Sequence, residues 1–401
     1  MGEEQLKELR ETAASRQTKL PATAIVIGLV SFFSDVSTEI AYPLLPLFIS
    51  TILGAPPSVL GLIEGVAEGT ASMITGLSGW ISDRFKSRKW LAIFGYGTTV
   101  LAKPLVALAV GWPLVLSGRF IDRFGKGVRS APKDALLADV ATPATRGRIF
   151  GFERMMDSAG AVLGPAFALL LFYTLGFHIR TVLLLTVTPA IAAFLLFFLV
   201  PEKHSVTSTP RQFSIAGLSR EFWIFLAINT VFNIGNSSNT FLLLKASDTG
   251  MDVTRTLFCY MLYNAVYSLG SYPAGVVSDR LGRKNVLILG FLLFSLAYFG
   301  FAIVQVSSWI WVLFTIYGFY PALTDGVSKA LAVDTTSTEL RATAIGIFSA
   351  ALGFSRLLAS LIGGLLWEYW GSAATFYYGA ICALLAVILF ITIFPKLHRT
   401  S

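Results

Sequence analysis

Cysteine and histidine are scarce in this 401-residue chain, which has two of the first and three of the second. Cys259 and Cys382 fall inside long apolar stretches; they read as packing residues and exclude a disulfide framework. His178, His204 and His398 occupy expected loop or tail positions, so no metal site is expected. The sequence contains no Gly-x-Ser-x-Gly, His-x-x-x-Asp or Cys-x-x-Cys constellation and no Walker-type Gly-x-x-x-x-Gly-Lys-Ser/Thr loop. Their absence argues against an enzyme and against ATP-driven work, and no cofactor is expected.

Charge is scarce as well. Only 13% of residues are ionisable against 55% hydrophobic, and the mean hydropathy of +0.70 lies outside the range of soluble chains. A bilayer core of about 30 Å needs roughly 20 apolar residues per helix. About twelve such stretches follow one another with short polar breaks, predicting an all-α polytopic membrane protein. In the first half they run from Ala22 to Ile49, Ser58 to Ile81, Trp90 to Val110, Pro113 to Leu136, Ile149 to Leu175 and Thr181 to Val200. The second half gives Glu221 to Leu244, Leu257 to Val277, Val286 to Val304, Trp309 to Leu331, Thr343 to Leu366 and Ala373 to Ile393. The first twenty residues lack an apolar core and carry several acids, so they read as a surface arm rather than a secretory signal. Expected divisions are therefore an arm (1–21), a six-helix bundle (22–200), a Ser, Thr, Pro and charge-rich linker (201–220), a second bundle (221–395) and a tail (396–401).

Lys and Arg near helix ends favour the cytoplasmic side. The arm, alternate loops and tail carry most of them, whereas the opposite loops hold few beyond Arg180, Lys245 and Arg255. Both termini are thus expected in the cytoplasm, with the chain in the cytoplasmic (inner) membrane. This bias accounts for the +8 net charge, so nucleic acid is not an expected partner.

One motif occurs twice. Gly79 to Lys89 reads GWISDRFKSRK and Gly275 to Lys284 reads GVVSDRLGRK, at an offset of 275 − 79 = 196. Lys133 to Asp139 (KDALLAD) similarly resembles Ser328 to Asp334 (SKALAVD), so six helices have been duplicated. Paired bundles of this kind place substrate between the halves and rock one half against the other.

These features resemble the major facilitator superfamily of secondary transporters over roughly Ala22 to Pro395, with motifs nearest to its drug/proton antiporter-like members. Gly275, Asp279, Arg280, Gly282, Arg283 and Lys284 match the family's loop motif; the first copy has Lys86 and Ser87 where glycine and arginine are usual. The resemblance implies gating roles for Gly79, Asp83, Arg84 and Arg88 and for Gly275, Asp279, Arg280 and Arg283. Arg119 resembles the family's fourth-helix arginine associated with proton coupling. Gly160, Gly164 and Pro165 resemble its fifth-helix antiporter motif, a helix-kink element, with Ala168 and Leu169 in place of the closing glycines.

Ionisable residues inside the first half cost several kcal/mol each in hydrocarbon, so each needs a cavity or a partner. Asp35 with Glu39, and Glu64 with Glu68, are spaced i, i+4 and share helix faces. The rise of about 1.5 Å per residue puts Asp35 and Glu68 near mid-depth and Glu39 with Glu64 further outward. Lys103, Arg119, Asp122, Arg123, Lys126, Arg129, Arg154 and Asp157 answer them on the third to fifth helices. One reading is a structural ion-pair network. The other assigns proton coupling to Asp35, Glu39, Glu64, Glu68, Arg119, Asp122 and Asp157, with Asp35 or Glu68 foremost.

The second half offers asparagine and tyrosine instead. Its candidate cavity residues are Asn233, Asn236, Tyr260, Asn264 and Tyr267, with Asp325 and Arg356, while Lys103, Arg123 and Lys126 serve the first half. Asp325 is the expected partner of Arg356 and pairs i, i+4 with Lys329. The cation-rich fourth helix admits an organic anion or siderophore-like carboxylate, and the acid pairs admit a cationic drug or metal complex. Export of a small organic solute by proton antiport is the leading expectation. Symport of an anion or metal complex, and a sensor without flux, remain alternatives. The expected partners are a small-molecule substrate, protons and the bilayer, with the chain acting as a monomer.

Overall fold

The computed structural model describes residues 20–84, 88–141, 145–201, 217–336 and 340–394. Twelve helices and no strands are found among them. The first half contains α1 (Ala22–Ile52), α2 (Pro57–Arg84), α3 (Arg88–Ala107), α4 (Trp112–Ala138), α5 (Arg146–Leu169) and α6 (Ile179–Phe197). The second contains α7 (Arg220–Gly235, resumed as Thr240–Asp248), α8 (Val253–Leu281), α9 (Arg283–Ile303), α10 (Ser307–Asp334), α11 (Arg341–Trp370) and α12 (Ser372–Thr392). Eight of the described helices are long and apolar enough to cross a membrane. The other four are α2 and α4, which carry buried charge, the interrupted α7, and α8. Most of the expected arm, linker and tail, with Lys86 and Ser87, lies outside the described residues.

Three helices depart from the expected spans. α7 was expected to run unbroken to Leu244, yet it stops at Gly235 and resumes at Thr240. The intervening Asn236-Ser-Ser-Asn239 explains the break, because short polar side chains offer the backbone local alternatives to a helix. α1 tightens to a 3₁₀ turn at Tyr42–Leu44 and widens to a π turn at Phe48–Ile52, around Pro43 and Pro46. α6 is interrupted at Thr186, whose hydroxyl donates to the Leu183 carbonyl.

Within each half the helices repeat one packing scheme: α1 lies on α5 and α3 on α4, as α9 lies on α10 and α7 on α11. Matched ion pairs fasten the ends. Arg88 on α3 pairs with Asp139 at 3.0 Å, and Arg283 on α9 pairs with Asp334, at equal offsets (283 − 88 = 195; 334 − 139 = 195). Both join neighbours inside one half. Gly282 makes the α8–α9 turn with φ +85°, a conformation that favours glycine.

Between the halves, α2 lies against α11 and α5 against α8. The α2–α11 contact runs from Gly61 and Gly364 to mid-helix, where a Cβ added at Gly353 would collide with Ser72. A Cβ added at Gly61 would collide with the Ser360 carbonyl, one at Gly65 with that of Leu357, and one at Gly364 with that of Pro57. Small residues allow such close backbone approach in a membrane bundle.

Candidate functional site

The interior of the first half is organised around Glu64, which is wholly buried. Arg119 of α4 grips it in a forked pair, with Nη2 at 2.8 and 3.0 Å from its two oxygens. Such charge-assisted bidentate contacts are strong and directional. Asp122 lies 3.8 Å from Lys103 and 3.9 Å from Arg119. Arg123 lies 3.6 Å from Glu68; its Nε is buried with no hydrogen-bond partner. Arg129 donates to Thr99 and Ser34 and lies over the Tyr96 ring.

A cavity of about 480 Å³ opens between α1, α3, α4 and α5 near the face carrying the chain ends; Asp35, Lys126, Lys133, Glu153, Arg154 and Asp157 are among its walls. Lys133 bonds Glu153 at 2.6 Å, and Ser31 completes the set. Asp157 pairs with Arg154 at 3.2 Å and meets the Asp35 side chain. Gly160 and Gly164 set this geometry. A Cβ at the first would strike the Phe32 carbonyl and Asp35, and at the second Glu39. Pro165 lies within α5, ahead of a π turn at Leu170–Thr174.

The second half is held by neutral groups. Tyr260, Tyr263, Tyr317 and Tyr320 form a stacked and tilted series with neighbouring centroids 5.3 to 5.8 Å apart, all buried. Asn239 bonds Tyr317 and Tyr263, and Asn236 donates to Tyr320. Asn233 donates to the Asn229 carbonyl, and its side-chain oxygen accepts from Arg356 Nε at 3.3 Å. The Asn264 amide nitrogen is buried without a partner.

Several pairings differ from expectation. Asp325 accepts from Tyr267 at 3.0 Å and makes no ion pair within 4.0 Å with Arg356 or Lys329, since the tyrosine one helix away reaches it first. Glu39 and Glu64 take separate partners, Glu39 accepting from Tyr260 of the other half at 2.8 Å. Arg88 and Arg283 clamp their own halves, as described above. Arg280 is exposed, Gly275 has open space at its Cβ position, and the side chains at Asp83, Arg84, Asp279 and the position of Gly79 lie outside the description.

Sequence reasoning overlooked the bridge between halves. Tyr42 meets Ser238 at 3.2 Å, and Ser238 reaches Glu64 at 3.4 Å, so the break in α7 delivers a hydroxyl to the buried carboxylate. The Asn-Ser-Ser-Asn run was its available signal. Glu153 was passed over as well, although it adjoins Arg154 and stands four residues before Asp157.

Comparison with known proteins accounts for this architecture. The Major Facilitator Superfamily model matches residues 27–242 and 224–401. An uncharacterised MFS-type transporter of Methanocaldococcus jannaschii is 33% identical, over 94% of this chain and 96% of that protein. Multidrug resistance protein MdtH of Klebsiella pneumoniae is 22% identical over 82% of each. Among solved structures, the POT family transporter PepTSo superposes with a TM-score of 0.81 at 12% identity, over 96% of this chain and all of that one. The nucleoside transporter NupG gives 0.77 at 14% identity, over 93% and 100%. The two duplicated bundles, the interior charge and these matches agree: the chain is a multi-pass membrane protein and belongs to the Major Facilitator Superfamily of transporters.

Proposed function

We propose that this chain is a secondary transporter that exports a small organic solute across the cytoplasmic membrane in exchange for protons, alternating access between its halves. Both ends lie in the cytoplasm in this reading, as the cation bias favours. The observation that carries it is a charged cavity inside the first half, walled by α1, α3, α4 and α5, next to a second half joined to it through the glycine-lined contact of α2 with α11. Ionisable groups facing a cavity in one bundle, with close small-residue packing between the bundles, suit two halves that rock against each other.

The proton site in this reading is Asp35 with Asp157. The two carboxyls meet across α1 and α5 beside the cavity, and neighbouring carboxyls can hold one proton between them. Glu64 is less suited, being locked by Arg119 away from the cavity. Flux separates a transporter from a sensor on the same scaffold. Purified protein in vesicles loaded with a pH-sensitive dye is challenged with organic anions and cations. Solute-dependent proton movement, absent from empty vesicles, is expected; binding without any movement would identify a sensor.

A further inference from the structure

Among the described residues, three hydrogen bonds join the two halves, and all three fall at one place. Tyr42 of α1 meets Ser238, in the break of α7, at 3.2 Å. Tyr260 of α8 donates to Glu39 of α1 at 2.8 Å, and Ser238 donates to Glu64 of α2 at 3.4 Å. The repeat gives this arrangement its meaning. Tyr42 and Ser238 are 196 positions apart (238 − 42 = 196), as are Glu64 and Tyr260 (260 − 64 = 196), which is the offset of the duplicated turn. Equivalent positions of two copies meet close to the axis that relates the copies, so Tyr42 and Ser238 mark that axis. Glu64 and Tyr260 reach across it in opposite directions, each from the second helix of its own half to the first helix of the other. Each lies seven residues into its helix (64 − 57 = 7; 260 − 253 = 7), about 10 Å from the helix start.

These are the polar contacts that a parting of the halves would break. The Arg88–Asp139 and Arg283–Asp334 clamps lie within single halves, and so does the Glu64–Arg119 pair. Glu39 makes no ion pair within 4.0 Å among the described residues, where the Tyr260 hydroxyl is its one hydrogen-bond partner. A hydrogen bond to a carboxylate is worth more than one between neutral groups. Glu64 depends less on the contact, because Arg119 grips it from inside its own half. The Tyr42 and Tyr260 rings lie 5.6 Å apart across the same junction. A joined state is favoured over a parted one only by contacts that differ between them. We propose that Glu39–Tyr260, with Ser238 set between Tyr42 and Glu64, is the polar latch of the interface and opens when the halves rock apart. The proposal rests on the transport reading and names the contact that sets the balance between its joined and parted states.

The test is the distance between spin labels on Thr51→Cys and Asp248→Cys, in full-length protein in lipid nanodiscs at one fixed pH. Both positions are exposed, one at the end of α1 and the other at the end of α7, and the native Cys259 and Cys382 are buried and stay in place. Tyr260→Phe keeps the ring and removes the hydroxyl, and should raise the ratio of long to short distances about tenfold or more. Ser238→Ala should raise it by a smaller factor, because Glu64 keeps Arg119. Ser295→Ala is the control: it removes a buried bond to the Ala380 carbonyl, between α9 and α12 of one half, and should leave the ratio unchanged. A ratio unchanged by Tyr260→Phe, or raised as much by Ser295→Ala, would overturn the proposal. The measurement needs neither solute nor gradient, so an absence of flux in vesicles and an unshifted distance are separate results.

Discussion

The two halves share a backbone plan and divide their chemistry. The first keeps its interior polar with ions in register: Glu64 with Arg119, Asp122 with Lys103, Glu153 with Lys133. The second places tyrosines and asparagines at comparable depth and keeps few charges, chiefly Asp325 and Arg356. Duplication preserved the helix order and the matched clamps Arg88–Asp139 and Arg283–Asp334. It let diverge the interior chemistry, ionic in the first half and largely neutral in the second.

That contrast makes graded predictions. Arg119→Ala should have the largest effect, because it strands a wholly buried carboxylate. A loss of about 3–5 kcal/mol is expected, read as a fall in melting temperature, and Arg119→Lys should rescue little since it lacks the fork. Gly364→Leu drives a side chain into the Pro57 carbonyl and should cost about 1–3 kcal/mol in the state closed at α2–α11. Cysteine labelling from the far side should rise accordingly. In the second half, Tyr317→Phe removes one neutral hydrogen bond to Asn239 and should cost about 1 kcal/mol. An effect as large as that of Arg119→Ala would erase the distinction between the halves. The smallest effects belong to the partly exposed clamps: Arg88→Gln and Arg283→Gln should each cost up to about 1 kcal/mol, and by similar amounts if the repeat has kept them equivalent.

Much of the fold was legible because hydropathy reports apolar helices long enough to span a bilayer with their backbone groups satisfied, while loop charge and the repeated DR turn mark where those helices end. The spans of α3, α9, α10 and α12 were readable to within a few residues on that basis. The break in α7 escaped because Asn236 to Asn239 lies in an apolar window, where averaging hides four polar residues. Pairing was harder than placement. Helical spacing put Glu64 and Arg119 at compatible depths, but which acid meets which cation depends on rotation about each helix axis. Asp325 illustrates this: sequence spacing favoured Lys329 on its own helix, and packing gave it Tyr267. Glu39 likewise found Tyr260 across the interface, a contact with a sequence separation of 221 residues and no local signal.

The division of labour between halves is tested most directly by solute movement in vesicles under an imposed pH gradient, comparing Asp35→Asn with wild type. The account predicts that Asp35→Asn binds solute and exchanges it down its own gradient but no longer responds to pH. Full gradient dependence in Asp35→Asn would contradict it.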